Sequence, residues 1–516
     1  MDRTPKNQSD VRCEAIEAVG GRAAASAPPE STGEIRKGKL AGLSLPAAIW
    51  VLSWPILTES FLQSLVGLVD TVLAAGISEA ATAAIGGAAY IIWALTLIGF
   101  SVGIGATAMI SRSLGRGRQA VANAAVGQAL LIAFLSGIVM GTALALLTGS
   151  IADWLNLSDE ATAEIKPYLW ILAGNTPMVS VVVAGIACQR GAGDSKRPLL
   201  TMVILNLINI SVSWWASGVD VNNPLPFGPE RIINPSPYDL GTWGIALGTF
   251  VAYTYGAVLT IFWLSRGTSG VRLRAKRLRP HWHTMRRLIK VGLPNFLESL
   301  GMWAGNFLVL LFVGWLALGD LKELMGAHVI AIRIEAFSFM PGFAMGIAAG
   351  TLAGQYLGAG NVAKARRAIL VCSGVSALLM GLFGVAFLTL NSEIVGKFSQ
   401  QPLHLEQTPR LIFICGFIQI PFGIMLVIRN ALRGAGDTRA VMIITWVSTF
   451  LIRLPLAWFF SGVDIPLPWG DGLTIPNPGP DWGLWGLWIG LCSELALRSV
   501  FFIGRFLQGG WQKVKV

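Results

Sequence analysis

Apolar stretches recur along this chain, each near or above the roughly 20 residues that a helix needs to cross about 30 Å of hydrocarbon. They place helical spans near 46–75, 82–111, 120–148, 166–190, 198–217 and 241–264, then 286–317, 326–354, 364–390, 408–433, 438–460 and 483–507. The second set of six repeats the first. Gly99-Phe100-Ser101-Val102-Gly103-Ile104 returns as Gly342-Phe343-Ala344-Met345-Gly346-Ile347. The same offset carries Leu114-Gly115-Arg116-Gly117 onto Leu357-Gly358-Ala359-Gly360, and Arg190-Gly191-Ala192-Gly193-Asp194 onto Arg433-Gly434-Ala435-Gly436-Asp437. A shift held over so long a stretch marks a duplication. The pattern predicts an all-α integral membrane protein with 12 transmembrane helices in two six-helix lobes. Six is even, so each half starts and ends on the same side. The lobes are then expected to be parallel repeats about a pseudo-two-fold axis along the membrane normal, the architecture of secondary transporters.

Composition agrees with the membrane reading: 53% of the 516 residues are hydrophobic and only 13% are charged. A net charge of +11 would suit a nucleic-acid partner, but its distribution reports topology instead. Ser265 to Lys290 holds nine Lys or Arg and no acid, and smaller basic clusters sit at Arg112/Arg116/Arg118, Arg190/Lys196/Arg197, Lys364/Arg366/Arg367 and Arg429/Arg433/Arg439. The alternate loops carry acids such as Glu79, Asp159, Asp239 and Asp464. By the positive-inside rule both termini and the 265–290 connection are cytoplasmic. The expected organisation is a disordered cytoplasmic tail at 1–40, a first lobe at 41–264, a basic linker at 265–285, a second lobe at 286–507 and a cytoplasmic tail at 508–516. The tail lacks the apolar core of a signal peptide. The five cysteines are scattered, and neither a disulfide framework nor a metal site follows from them.

Glycines at 342, 346, 350, 354 and 358 share one face of span 8, matched in span 2 by Gly99, Gly103, Thr107, Ser111 and Gly115. Such spacing lets helix backbones approach closely in a bilayer. Packing within each bundle is the expected use, and a seam that slides during transport is the alternative. The Arg-Gly-Ala-Gly-Asp strings read as tight turns in which glycine ends one helix and Asp194 or Asp437 caps the next. Two connections, opening at Ser217-Gly-Val-Asp220 and Ser461-Gly-Val-Asp464, each hold five prolines and lie beside tryptophans. Interfacial anchoring is their default reading, and a rim over the outer mouth of a pathway is the sharper one.

A charge at membrane depth costs at least roughly 2.5–3.5 kcal/mol, so each needs a partner, water or a function. Span 1 offers Glu59, Gln63 and Asp70. Glu59 and Asp70 are eleven residues apart and share a helix face, separated by about 16 Å. The stripe suits a proton or cation site, against the alternative of carboxyls satisfied by neighbouring helices. Glu298 in span 7 repeats Glu59, each four residues after a proline, whereas the Asp70 position is occupied by Val309. The first half therefore looks like the ion-handling one. Asn206, Asn209 and Ser213 in span 5, Gln419 in span 10 and Arg453 in span 11 are further polar candidates for the pathway. Arg333/Glu335 and Glu494/Arg498 read as neutralised pairs, the second at i,i+4 spacing. Neither a metal-ligand cluster nor a nucleophile–base constellation stands out, so an enzyme is not expected.

Gly67-Leu-Val-Asp-Thr71, Leu114-Gly-Arg-Gly117 with Gln355-Tyr-Leu-Gly-Ala-Gly360, the paired Arg-Gly-Ala-Gly-Asp turns and Ala331-Ile-Arg-Ile-Glu-Ala-Phe-Ser-Phe-Met-Pro341 together resemble the multidrug and toxic-compound extrusion (MATE) family, bacterial type. The resemblance covers roughly residues 45–507. It implies two lobes in a V around a central cavity in the bacterial inner membrane. It also implies antiport, in which H⁺ or Na⁺ enters while an organic, often cationic, compound leaves. The family's span-1 carboxylate falls on Asp70, where Na⁺ is one expected occupant, and its span-5 asparagine on Asn209. Ser213 stands where some bacterial members carry a second acid, and Met302 where others carry a span-7 glutamate. The long proline-rich outer loops are also atypical. No cofactor or nucleic acid is expected; small organic substrates and the bilayer are, with the chain acting as a monomer. The alternative transport reading is an exporter of a lipid-linked saccharide or other envelope precursor. That would call for several cationic residues lining the cavity, and only Arg453 is a candidate.

Overall fold

In a computed structural model, residues 33–35, 38–154, 158–222, 231–317, 324–466 and 473–514 are described. Among the described residues, twelve helices are long and apolar enough to cross a membrane. Spans 1 to 6 are Leu45–Ile77, Glu79–Gly115, Gln119–Trp154, Asp159–Gly191, Lys196–Ser217 and Gly241–Arg266. Spans 7 to 12 are Trp282–Leu316, Leu324–Gly358, Val362–Thr389, Pro402–Ala435, Thr438–Ser461 and Gly483–Gln508. Side chains hold several starts: the Ser78, Ser158 and Asn361 oxygens accept from the amides of Ala81, Ala161 and Lys364 at 2.9, 3.2 and 2.8 Å. Each satisfies one of the amides a helix start leaves without an intrahelical partner.

The repeat is visible in how the helices pack. Span 4 lies against spans 2, 3 and 6, span 5 against span 6, and span 1 against span 5. In the second lobe span 10 lies against spans 8, 9 and 12, span 11 against span 12, and span 7 against span 11. Every contact of one lobe thus has its counterpart in the other, which gives the expected two-lobe, twelve-helix fold. One local difference breaks the symmetry. Residues Val447–Arg453 of span 11 are π-helical, whereas span 5 is α-helical throughout. Pro455, which lacks an amide hydrogen, follows two residues later.

The glycine stripes pack both within a lobe and between lobes. Within a lobe, a Cβ on Gly103 would lie 2.8 Å from the Ala187 Cβ of span 4, and one on Gly350 would lie 2.8 Å from the Asn430 carbonyl of span 10. Toward the ends that carry the basic clusters they cross between lobes. There a Cβ on Gly115 would lie 2.1 Å from the Gln355 carbonyl, and one on Gly358 would lie 2.4 Å from the Arg112 carbonyl. Further links at this basic end are Thr351 Oγ1 donating to the Arg190 carbonyl at 3.2 Å and Gln355 Nε2 donating to the Gly191 carbonyl at 3.2 Å. Deeper in, Asn295 Nδ2 donates to Ser101 Oγ at 3.3 Å. The lobes are therefore shut against each other at the basic end. Gly358→Val is expected to wedge this seam open. Spin labels on cysteines introduced at Arg118 and Val362, in a background without native cysteines, should move apart by several ångströms. An unchanged distance distribution would show that the seam tolerates a side chain.

Two segments outside the spans make contacts with the bundle. Of the tail expected at 1–40, residues 1–32, 36 and 37 lie outside the described residues, and several of the others are held. Ile35 and Leu40 are buried, Lys364 pairs with Glu34 at 3.0 Å, Asn361 Nδ2 donates to the Gly33 carbonyl at 2.9 Å, and Lys39 pairs with Asp194 at 3.2 Å. Two apolar side chains in a polar stretch are enough to seat it. The basic linker, expected at 265–285, is mostly exposed and is tied to span 3. Gln128 of span 3 donates to the carbonyls of Arg277 and Arg279 at 2.7 and 2.9 Å and accepts from the His281 amide at 2.9 Å. Span 7 then begins at Trp282, inside the expected linker.

The turns after spans 4 and 10 have the expected left-handed glycines, Gly193 at φ 88° and Gly436 at φ 90°. The aspartates that follow do not cap. Asp194 pairs with Arg197 at 2.5 Å and with Lys39, and Asp437 pairs with Arg505 at 2.9 Å. At the opposite end, each proline-rich connection holds a short antiparallel pair: β1 (Val221–Asn222) with β2 (Arg231–Ile232), and β3 (Ile465–Pro466) with β4 (Thr474–Ile475). Asn234 and Asn477 pin them identically. Each side-chain amide donates at 2.5 Å to the carbonyl of a span-end tryptophan, Trp214 or Trp458. Each backbone amide donates to the aspartate of the Ser-Gly-Val-Asp string, Asp220 at 2.7 Å or Asp464 at 2.8 Å.

Candidate functional site

Asp70 lies two turns before the end of span 1, in the half away from the basic clusters, and is 6% exposed. One carboxylate oxygen accepts from Thr249 Oγ1 of span 6 at 3.3 Å; the other is buried without a partner. Asn209 Nδ2 of span 5 donates to the same Thr249 hydroxyl at 3.1 Å and to Ser213 Oγ at 3.4 Å. Asn175 Nδ2 of span 4 donates to the Thr249 backbone carbonyl at 3.3 Å. Four helices of the first lobe thus converge on Thr249, which places it at the centre of the cluster. Tyr168 and Tyr253 lie near enough to feel the Asp70 charge. The side-chain oxygens of Asn175 and Asn209 are also buried and unpartnered. Among the described residues no Lys or Arg pairs with Asp70. The arrangement is a buried carboxylate among neutral oxygens with spare lone pairs, the chemistry that takes up a proton or a hard cation.

Three other membrane carboxylates, Glu59, Glu298 and Glu494, are paired with arginines. Glu59 pairs with Arg190 of span 4 at 2.6 Å. Its repeat partner Glu298 pairs with Arg433 of span 10 at 2.7 Å and Arg429 at 2.8 Å, and accepts from Thr445 at 3.0 Å. Glu59 and Glu298 match in the repeat, and so do Arg190 and Arg433, so one ion pair is built twice. The structure does not bring Glu59 into the Asp70 cluster. At the position that Asn209 holds in span 5, span 11 has Arg453. Its guanidinium donates to Glu494 at 3.0 Å and to Asn306 at 2.8 Å, and Arg498 meets the other oxygen of Glu494 at 2.5 Å. Arg498 also donates to Thr449 at 2.9 Å. The Glu494/Arg498 pair is thus present, with Arg453 as its third member. The Arg333/Glu335 pair is not: Arg333 is exposed, while Glu335 lies within reach of the Arg453 charge instead. Two residues apart on a helix, they point to different faces.

The remaining candidates are scattered. Gln63 is exposed on span 1. Asn206 is buried and donates to the Met202 carbonyl of its own helix at 2.8 Å. Ser213 donates to the Ile245 carbonyl at 3.3 Å. Gln419 is fully buried in the second lobe with neither amide atom partnered. Thr249 and Asn175, central to the cluster, were not singled out in the sequence. A threonine among the small residues of span 6 carries no signal there, although an asparagine two residues before Pro177 in an apolar span does. Far from Asp70, on the outer face of the second lobe, a cavity of about 1130 Å³ lies under the second proline-rich connection, lined by Trp315, Arg410, Asp464, Asp481 and Trp482 among others.

Twelve spans in two repeated lobes, with a buried carboxylate in the first lobe that no Lys or Arg pairs with among the described residues, are the build of a membrane transporter. The MatE family model matches residues 55–215 and 294–459, one match in each lobe, and the chain belongs to that family. Among curated proteins it is 27% identical over 488 residues to a probable multidrug resistance protein NorM of Thermotoga maritima, covering 94% of this chain and 95% of the relative. It is 25% identical to the multidrug resistance protein MdtK of Pectobacterium atrosepticum, covering 89% and 94%. Among solved structures, an outward-facing multidrug resistance MATE transporter of the MOP superfamily superposes with a TM-score of 0.78 at 18% identity, covering 92% of this chain and 98% of that one. A MOP superfamily transporter from Pyrococcus furiosus superposes with a TM-score of 0.78 at 19% identity over the same shares.

Proposed function

We propose that this protein is a cation-coupled multidrug antiporter of a bacterial inner membrane, with both termini in the cytoplasm. One observation supports the coupling: among the described residues Asp70 is a membrane-depth carboxylate that no Lys or Arg pairs with or, unlike Glu335 beside Arg453, acts on, while Glu59, Glu298 and Glu494 all have arginine partners. Asp70, Asn209, Asn175 and Thr249 form the coupling site, and H⁺ or Na⁺ is the ion. Loading it supplies the missing positive charge and gives the orphan oxygens a partner. With the basic end facing the cytoplasm, the closed seam of spans 2 and 8 corresponds to the state shut on that side. Export then requires Thr351 and Gln355 to release the Arg190 and Gly191 carbonyls so that the lobes part there. The relatives' names point to organic compounds of several kinds as cargo, and the chain works as a monomer. Binding of a phosphate-bearing envelope precursor is disfavoured because Arg453, the cation such a cargo would need, is already engaged by Glu494 and Asn306.

The test is efflux of ethidium from vesicles containing the purified protein, with pH and Na⁺ gradients imposed separately. Efflux driven by one gradient and not the other names the ion. Dye movement indifferent to both gradients would refute coupled antiport.

A further inference from the structure

Among the described residues, the buried arginines follow a rule with one exception. Arg433, Arg453 and Arg498 each meet a glutamate within 3.0 Å, as does the half-buried Arg190. Arg112, near the basic end of span 2, is 4% exposed and meets none. Its Nη1 donates to the Val514 carbonyl, in the segment after span 12, while Nε and Nη2 are buried without a partner. The described side chains whose charge acts on Arg112 and Arg116 are arginines. Arg116, one turn on, acts on Arg112, and Arg118 and Arg287 act on Arg116. Burial, then repulsion from Arg118 and Arg287, loosens the Arg116 proton and draws its pKa below that of a free arginine. Among the described residues no Asp or Glu pairs with Arg112, Arg116 or Arg118. A buried guanidinium with unmet N–H groups and like charges beside it is costly unless an anion answers it.

We infer that Arg112, with Arg116 and Arg287, forms a binding site for a phosphate-bearing anion at the junction of the two lobes. The guanidinium fork matches phosphate oxygens in a bidentate fashion, and several arginines converging on one point favour a dianion or a phosphodiester over a carboxylate. At this end of the bundle the phosphate has two sources, the headgroup of an anionic phospholipid or inorganic phosphate from solution. The position gives the anion a consequence. The Arg112 carbonyl lies against Gly358 of the second lobe and the Arg112 side chain holds Val514, so the ligand would neutralise the seam where spans 2 and 8 cross. Occupancy favours the state closed at the basic end and slows its opening. None of these residues belongs to the Asp70 cluster, so the site is distinct from the coupling site.

The experiment uses the full-length protein in neutral detergent and in nanodiscs. Inorganic phosphate is titrated by calorimetry at constant ionic strength, with chloride as the reference anion. In parallel, retention of phosphatidylglycerol against phosphatidylcholine is read by native mass spectrometry. Saturable phosphate binding identifies the free ion; selective phosphatidylglycerol retention without it identifies the headgroup. In either case Arg116→Gln, a change at an exposed side chain, should weaken binding about tenfold, and Arg112→Gln at least as much. Arg367→Gln, at the same end on span 9, should leave it unchanged. Arg116→Gln decides the matter if Arg112→Gln does not fold. Absence of both binding modes, or equal losses in the Arg367 control, would overturn the proposal.

Discussion

Asp70→Asn is expected to abolish gradient-driven efflux while leaving the protein folded. Asparagine keeps the size of the side chain and an oxygen for Thr249, so the cluster retains its packing and the 3.3 Å hydrogen bond has a substitute acceptor. What disappears is the negative charge that the ion neutralises in the proposed coupling. An ion that no longer gains from entering cannot favour one state of the lobes, and a ligand without differential affinity shifts no equilibrium. Loss of even 1.4 kcal/mol of that preference is about tenfold, and removal of the charge should exceed it. Efflux from vesicles under the effective gradient should fall more than about tenfold, with the thermal midpoint in detergent close to wild type. Thr249→Val should show a weaker form of the same defect, since it removes the hydroxyl shared by Asp70 and Asn209. Full efflux in Asp70→Asn would take coupling away from this carboxylate.

Glu298→Ala is expected to produce the larger loss of stability. Glu298 is fully buried and takes charge-assisted hydrogen bonds from both Arg429 and Arg433, plus one from Thr445. Removing it leaves two guanidiniums in a low-dielectric interior without a counterion, a change that costs about 3–5 kcal/mol for a buried pair. The span-7 to span-10 junction of the second lobe should loosen, read as a fall in thermal midpoint and in yield of monodisperse protein. Glu59→Ala should cost less, because Glu59 answers a single arginine. Adding Arg429→Met to Glu298→Ala should recover part of the loss, since it removes one orphaned charge. A Glu298→Ala protein as stable as wild type would mean that water reaches this pair and screens it.

The spans, the duplication and the inequality of the halves could be read from the chain because they depend on local composition and on repeat spacing. Asp70 was conspicuous for the same reason: a carboxylate in an apolar helix is costly wherever its neighbours fall. Of its neighbours, Asn209 was named through the family resemblance, but Thr249 was not legible, because it is 179 residues away and nothing in a single sequence joins the two. The ion pairs were nearer to hand. Glu59 and Glu298 were matched, and so were Arg190 and Arg433, but the arginines were read as topology markers at helix ends. Their side chains instead turn back along the bundle to meet the glutamates. The capping assignment of Asp194 and Asp437 failed where a local rule met a tertiary competitor: a lysine or arginine from another element outweighs one amide of the next helix. The burial of Ile35 and Leu40 was invisible because two apolar side chains are too few to register as a pattern.

The segment around Ile35 and Leu40 bears on how the protein is made. Gly33 and Asn361 are 328 residues apart, yet the carbonyl of one is held by the side chain of the other. Leu40 meanwhile packs on the turn at Gly193, within the first lobe. During synthesis the leading segment can therefore dock halfway once span 4 is in place, but must wait for span 9 before its other anchor exists. Residues made early find their final place late, and the finished strap records that both lobes have been inserted and brought together.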